Sequence, residues 1–181
     1  AGRLLLTAPV PQSLALLRAG GVELPKAWAG GLAAVTYHPC LALLVTLGGA
    51  SAVPAEGVAL VDGPVRWIAD NTKKGIAPGV AAAVTVHLNP EFAAEHYAKT
   101  EVELAALVLP GIESWLGAPV VGLALQRWKF SEPAAMYAEP CVWRPELGLG
   151  FAGDAFGGPR VEGAALSGLA LAERMAAETA A

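Results

Sequence analysis

Along the stretch AAAVTVHL, apolar and polar side chains alternate, with Val84, Val86 and Leu88 on one side and Thr85 and His87 on the other. A period of two marks a strand with one buried face. A further strand is predicted over PVVGLALQRWKFSEP, where Gln126, Trp128 and Phe130 share one face and Leu125, Arg127 and Lys129 the other, so that neither face is purely apolar. Leu32 to Leu47 is apolar and rich in strand formers, broken by His38, Pro39 and Cys40, and predicts two strands or one strand with a bulge. RLLLTA predicts a buried strand near the N-terminus, followed by a proline-restricted turn and a short helix ended by Gly20 and Gly21. Asp62 and Gly63 between apolar runs signal a hairpin. Asn89 and Pro90 open a helix through PEFAAEHYAKT, and a second helix runs from Glu101 to about Leu109, where Pro110 and Gly111 stop it.

These elements give an α/β (α+β mixed) fold class: a mixed β-sheet with helices on one side, bracketed by two terminal segments that fit a different, tighter element. The chain has 181 residues, 55% of them hydrophobic, which predicts a folded, well-cored protein. A net charge of -4 with only 12 Lys and Arg, and no basic cluster beyond Lys73 and Lys74, argues against nucleic acid as a partner. The apolar run at Leu41 to Leu47 is far too short for a bilayer span, and a secretory signal is lacking, so a cytoplasmic protein without membrane contact is expected. Cys40 and Cys141, each beside proline and apolar residues, read as inert core thiols, and His38, His87 and His96 are scattered without ligand spacing, so no metal site is expected.

The C-terminal stretch LGLGFAGDAFGGPRVEGAALSGLALAERM contains the G-x-G-x-x-G spacing at Gly148, Gly150 and Gly153. A phosphate-binding turn of that kind needs a helix to start at the third glycine. Asp154 to Pro159 reads as a loop instead, with a strand over Gly148 to Ala152 before it and a helix from Arg160 or Val161 to about Glu178 after it. The spacing is therefore a coincidence of a chain with 21 glycines. What remains is a carboxylate at a strand tip, suited to accept from a sugar-type hydroxyl, and the free amides of Val161, Glu162 and Gly163 at a helix start, suited to a phosphate or an electron-rich heteroatom. On the residues alone, close helix-sheet packing with Asp154 as a turn cap explains the same pattern equally well.

The segment GFAGDAFGGPRVEGAALSGLALAERM resembles the C-terminal flavin-contacting segment of the FAD-dependent amine oxidase superfamily, and within it the bacterial renalase-like proteins. LLLTAPVPQSLALL, WIADNTKKGIAP followed by VHLNPEFAAEHY, and LQRWKFSEP agree with the renalase group in the same order, so the resemblance covers essentially the whole chain. It implies an FAD-domain remnant at residues 1–26, a substrate-binding domain at 27–140, and the C-terminal strand, loop and helix of a Rossmann-like FAD-binding domain at 141–181. Gly153, Asp154, Arg160, Val161, Glu162 and Gly163 would contact FAD, with Asp154 on the ribityl chain and the backbone at Val161 and Glu162 facing the pyrimidine end of the isoalloxazine. Trp67, Asn71, Lys74 and Trp128 would line a substrate cavity opposite the flavin: the tryptophans as flat walls, Asn71 as a hydrogen-bonding amide, Lys74 as an attractor of phosphate. The alternative for these four is that the tryptophans are ordinary core and Lys74 a solvated loop charge.

The chain opens on an apolar strand, and the strand, glycine turn and acidic residue with which such proteins begin are not in it. The expectation is therefore a C-terminal portion whose N-terminal dinucleotide-binding part is missing, with FAD bound weakly or not at all by this chain alone. The activity implied is passage of hydride from a reduced nicotinamide-type or amine substrate to flavin and then to dioxygen. Hydride transfer places little demand on an acid, base or nucleophile, and no side chain stands out as one. The competing expectation is a non-catalytic folded module that associates with itself as a homodimer or with the missing part.

Overall fold

The structure is a computed structural model that describes residues 2–77, 79 and 81–179. Ala1 and residues 180–181, the outer limits expected for the terminal segments, and Pro78 of WIADNTKKGIAP lie outside the described residues. The chain runs β1 (Leu4–Leu6), α1 (Val10–Ala19), α2 (Lys26–Ala33), β2 (Thr36–Leu47), β3 (Val58–Ala59), β4 (Val65–Asp70), β5 (Ala82–Leu88), α3 (Pro90–Glu95), α4 (Glu101–Val108), α5 (Glu113–Leu116), β6 (Val120–Ala135), β7 (Val142–Arg144), β8 (Leu149–Phe151), α6 (Asp154–Gly157) and α7 (Val161–Thr179). Short 3-10 turns cover Leu109–Ile112 and Pro145–Leu147. The fold is mixed α/β with two sheets, divided into a contiguous unit, Pro39–Lys129, and a unit made from the two ends, Ala1–His38 with Phe130–Ala181. Residues 27–38 and 130–140, assigned on sequence to the middle domain, fall in the terminal unit.

In the contiguous unit the strand order is β3-β4-β5-β2-β6. β5 pairs antiparallel with both β4 and β2, so that Trp67, His87 and Ala42 are cross-strand neighbours and Ile68, Val86 and Leu43 form the next row. The alternation decides the faces. Leu41, Leu43, Val45 and Leu47 of β2 join Val84, Val86 and Leu88 of β5 in one core, covered by Ala93 of α3, Leu104 and Val108 of α4, Ile112 of the turn that follows and Leu116 of α5. The helices begin where their caps dictate: the Phe92 N–H donates to Asn89 Oδ1 at 2.8 Å, and Thr100 with Glu103 forms a reciprocal capping box. β2 is one long strand of 12 residues, not two.

The terminal unit has a three-stranded sheet in the order β1-β8-β7, with β1 parallel and β7 antiparallel to β8. Leu6, Val10, Leu14 and Leu17 pack with Val142, Leu149, Phe151 and Phe156 into its core. Two expectations are corrected here, and a strand appears where none was anticipated. Leu32 and Ala33 are helical, because Trp28 and Leu32, one helical turn apart, are buried together and outweigh the strand-forming residues downstream. The proline-punctuated connection before β8 holds a strand, β7, whose Val142 and Trp143 are buried. The segment after Gly153 holds one helical turn, α6, where a loop was expected. β1 is also less buried than its leucines suggest: Leu6 is 6% exposed, but Leu4 and Leu5 are 47% and 46% exposed at the sheet edge.

Candidate cofactor groove and ligand face

In the terminal unit the site grows from the parallel pairing of β1 with β8. Both strands end at the same level, Leu6 opposite Phe151, and the chain then turns into α1 through Thr7, Ala8 and Pro9 and into α6 through Ala152 and Gly153. Ligands of open α/β sheets bind outside the carboxyl ends of parallel strands. A groove of about 460 Å³ lies there, walled by Thr7, Pro9, Gly153, Asp154, Arg160 and Val161 among others.

Gly153 has φ 135° and ψ -167°, a backbone conformation that side-chain-bearing residues rarely adopt. Its N–H donates to Ser167 Oγ at 3.0 Å, and that hydroxyl donates to the Pro140 carbonyl at 2.6 Å. Ser167 is fully buried, so α7 is fastened to the strand tip that carries Asp154. The Asp154 carboxylate lies near enough for its charge to act on the Tyr37 hydroxyl, which accepts from the Val10 N–H at 3.3 Å. Burial, and then the charge of Asp154, raise the Tyr37 pKa against the opposing Val10 hydrogen bond.

At α7 the helical ladder starts with Ala164 N–H to Arg160 O at 3.0 Å, so the amides of Val161, Glu162 and Gly163 precede it. Gly163 itself is buried. A Cβ there would lie 2.6 Å from the carbonyl oxygens of Gly157 and Gly158, so its smallness serves the contact between α6 and α7. Of the six residues expected at the cofactor, Gly153, Asp154, Arg160 and Val161 wall the groove, Glu162 is an exposed neighbour, and Gly163 is packed behind. The glycine spacing has local causes. Gly148 adopts φ 58° after the turn at Pro145–Leu147, where a Cβ would stand 2.5 Å from the Gly2 carbonyl oxygen, and a Cβ at Gly150 would press on Leu5 and Leu171.

In the contiguous unit, the helices pack on one face of the sheet through the core just described, and the other face carries Trp67 of β4, Thr85 and His87 of β5 and Trp128 of β6. Asn71 joins them from the end of β4: its N–H donates to Ala83 O at 2.7 Å and its Nδ2 to Thr85 Oγ1 at 2.9 Å. The Trp128 ring lies 6.0 Å from the His87 ring at an interplanar angle of 32°, and Trp128 is 40% exposed. Part of the Trp67 indole is docked on Gly57, whose φ of 82° and lack of a Cβ leave it room. Lys74 is exposed on the loop after β4, near enough for its charge to act on His87. His87 is held below the usual imidazole pKa by burial first, then by the cations of Arg66 and Lys74. Trp67, Asn71 and Trp128 are thus brought to one face, with Lys74 beside it.

The two neighbouring lysines have separate fates. Lys73 Nζ donates to the carbonyls of Ser51 at 3.0 Å and Val53 at 2.5 Å, and so is spent on the fold. The sequence pattern did not single out Tyr37, Ser167 or His87. The alternation over β5 did place His87 beside Thr85, and that was the available signal. Cys40 is buried as expected, but its Sγ lies 3.8 Å from His87 Nδ1, a contact not visible in its apolar flanks.

Among the described residues, no group of three or more His, Cys, Asp or Glu side chains could hold a metal ion, and no helix is long and apolar enough to cross a membrane. No family model matches the chain. Solved structures share its fold. A protein assigned as a protoporphyrinogen oxidase from Exiguobacterium sp. 255-15 superposes with a TM-score of 0.66 at 17% identity, over 97% of this chain and 41% of that one. An oxidoreductase from Methanosarcina mazei gives 0.64 at 18% identity, over 96% and 43%. Cyclohexylamine oxidase from Brevibacterium oxydans IH-35A gives 0.60 at 13% identity, over 99% and 43%. What is shared at these identities is the fold, and the chain spans about two-fifths of the length of each.

Proposed function

We propose that this chain is the substrate-domain-containing, C-terminal part of a cytoplasmic FAD-dependent oxidoreductase of the amine oxidase superfamily, of the renalase-like kind. The observation that carries the reading is the groove at the carboxyl ends of β1 and β8, on a fold otherwise met in amine and protoporphyrinogen oxidases. Its donor set suits a flavin: a carboxylate acceptor at Asp154 for a ribityl hydroxyl, and helix-start amides at Val161 and Glu162 for the electron-rich pyrimidine edge. A groove of about 460 Å³ is in the range that takes one drug-sized ring system, so it would hold one portion of the cofactor rather than a whole dinucleotide. A bound flavin would supply two-electron redox chemistry, with substrate as the hydride donor and dioxygen as the final acceptor.

The chain's own residues would do the rest. Gly153 and Ser167 fix the strand tip so that Asp154 is presented rather than mobile. In the contiguous unit, Trp67 and Trp128 would offer flat apolar surface to a nicotinamide-type or amine substrate, Asn71 a positioned amide, and Lys74 a cation for a phosphate-bearing one. The remaining cofactor contacts would come from a dinucleotide-binding segment. β1 offers it an open parallel edge, with Leu4 and Leu5 half-exposed.

Supplied with such a segment, the protein should retain flavin, and Asp154→Ala should weaken that retention by about 1.5 to 3 kcal/mol, the range for one hydrogen bond to a charged group, without lowering the melting temperature. Unchanged flavin affinity with a lowered melting temperature would make Asp154 a turn cap and remove the reading's main support. The same exposed leucines on β1, with Leu166 and Leu169 of α7 at 55% and 60% exposure, favour the second reading, a flavin-free module that associates with itself. A colourless protein that sediments as a dimer even when the dinucleotide-binding segment is supplied would select it.

A further inference from the structure

α4 is apolar on two sides. Leu104 and Val108 lie in the core, while Val102, Ala105, Ala106 and Leu109, spaced i, i+3, i+4 and i+7, line a groove of about 980 Å³. Such a stripe is what a helix ordinarily buries, yet Val102 is 69% exposed. The opposite end of the wall is held in place before anything binds. Gly117 closes α5 with φ 71°, where a Cβ would stand 3.0 Å from the Ala52 nitrogen, the Ala52 N–H donates to Trp115 O at 3.1 Å, and the Gly48 N–H donates to Pro119 O at 2.9 Å. A preformed, mostly apolar hollow of this size, with a polar group in its wall, has the character of a small-molecule site.

Glu113 is the one charged side chain in the wall among the described residues. It is exposed, and none of their ion pairs or side-chain hydrogen bonds engages its carboxylate. An apolar wall with a single anion is the complement of an apolar body with a single cation. We propose that this groove binds a small hydrophobic cation, an ammonium or guanidinium on an aliphatic or aromatic body, with the body on the α4 stripe and the charge at Glu113. A second copy of the chain is a poorer complement, because it brings the same carboxylate and no cation in the same wall. The inference stands on the contiguous unit alone and does not depend on whether the protein uses flavin.

Amide-resolved NMR titration of the intact chain with octylammonium, octanol and octanoate tests it. Saturable shifts are expected at residues 102–109 and 113–120. Octylammonium should bind about two- to fivefold tighter than octanol, the worth of an exposed ion pair, and octanoate weaker than both. Shortening the ammonium from octyl to butyl should weaken binding by about two- to fourfold per methylene. Glu113→Gln should make ammonium and alcohol equal, and Ala106→Trp, at an exposed helix position, should fill the groove and abolish binding. Equal affinities for the three head groups, shifts centred elsewhere, or binding kept in Ala106→Trp overturn the proposal. So do shifts at the same residues that depend on protein concentration without ligand, since they give the groove to a second copy. Should Ala106→Trp fail to fold, Glu113→Gln decides: loss of the ammonium preference upholds the proposal, and its persistence overturns it.

Discussion

Asp70 and His87 show how one side chain sets its neighbourhood. Asp70 is 1% exposed at the end of β4, accepting from Ser51 Oγ at 2.6 Å and from the backbone N–H groups of Thr72 at 2.8 Å and Lys73 at 3.3 Å. Burial alone would raise its pKa, but these donors outweigh it and lower the value. With Lys73 clamped on Ser51 and Val53, this knot fixes the loop that presents Asn71 and Lys74. Asp70→Ala should cost about 1 to 3 kcal/mol in denaturant unfolding, because a buried hydroxyl and two amides lose their acceptor. An unfolding midpoint within error of the natural protein's would show the knot to be dispensable. His87 makes the pH prediction. Its folded pKa lies below the ordinary 6.5, so as pH falls the unfolded chain takes up the proton first. Stability is therefore full above 6.5 and is lost as pH drops from there through the folded value. The charges that set this are Arg66 and Lys74, with the Cys40 thiol as the polar neighbour from β2. Between about pH 7.5 and 5.5, His87→Gln should lose less stability than the natural protein in matched denaturant titrations. Equal slopes for the two proteins would show that His87 carries no such linkage.

Elements were legible where a single periodicity or cap decides them. β5 is readable from its alternation, the start of α3 from Asn89, the end of α4 from Pro110 and Gly111, and α7 from the residues after Pro159. α2 and β7 were not, since Trp28, Leu32, Val142 and Trp143 are fixed by burial against residues distant in sequence. The candidate site divided in the same way. Asp154 is recognisable as a carboxylate at a strand end, whereas the Tyr37 hydroxyl beside it and the Ser167 clamp depend on pairings that local pattern does not encode. α7 offers an internal comparison at this scale. Its Gly163 faces the carbonyl oxygens of Gly157 and Gly158, while Gly168 on the same helix has nothing within 4 Å of the position a Cβ would take. Gly163→Val should therefore destabilise by about 1 to 3 kcal/mol through overpacking, and Gly168→Ala should stabilise by roughly 0.5 to 1 kcal/mol through helix propensity. Thermal melting of the two variants checks the contrast. Similar shifts in both would mean that the approach of α6 to α7 is loose, and that Gly163 belongs to the groove rather than to the packing behind it.

At the scale of the whole molecule, the two units differ in how their chains are assembled. The terminal unit depends on β1 meeting β8, strands from opposite ends of the sequence, and its core draws on both segments. The contiguous unit takes its core from β2, β4, β5 and the helices α3 to α5, all from one continuous stretch, and two of its four strand pairings, β3 with β4 and β4 with β5, join strands consecutive in the chain. Closing such local loops costs little chain entropy, whereas pairing β1 with β8 must gather distant ends. Residues 39–129 expressed alone should therefore fold with a single cooperative denaturant transition, because Leu41, Leu43, Val45 and Leu47 and all their core partners are retained. Residues 130–181 alone should not, because β8 and the groove at its tip lose β1, Val10 and Leu14. Circular dichroism during denaturant titration of the two fragments distinguishes the outcomes. A cooperative transition in the C-terminal fragment, or none in 39–129, would overturn the account of which unit carries its own stability. If 39–129 does fold, the ring pairing of His87 with Trp128 and the Asn71 to Thr85 hydrogen bond should survive with it, since every partner lies inside that stretch.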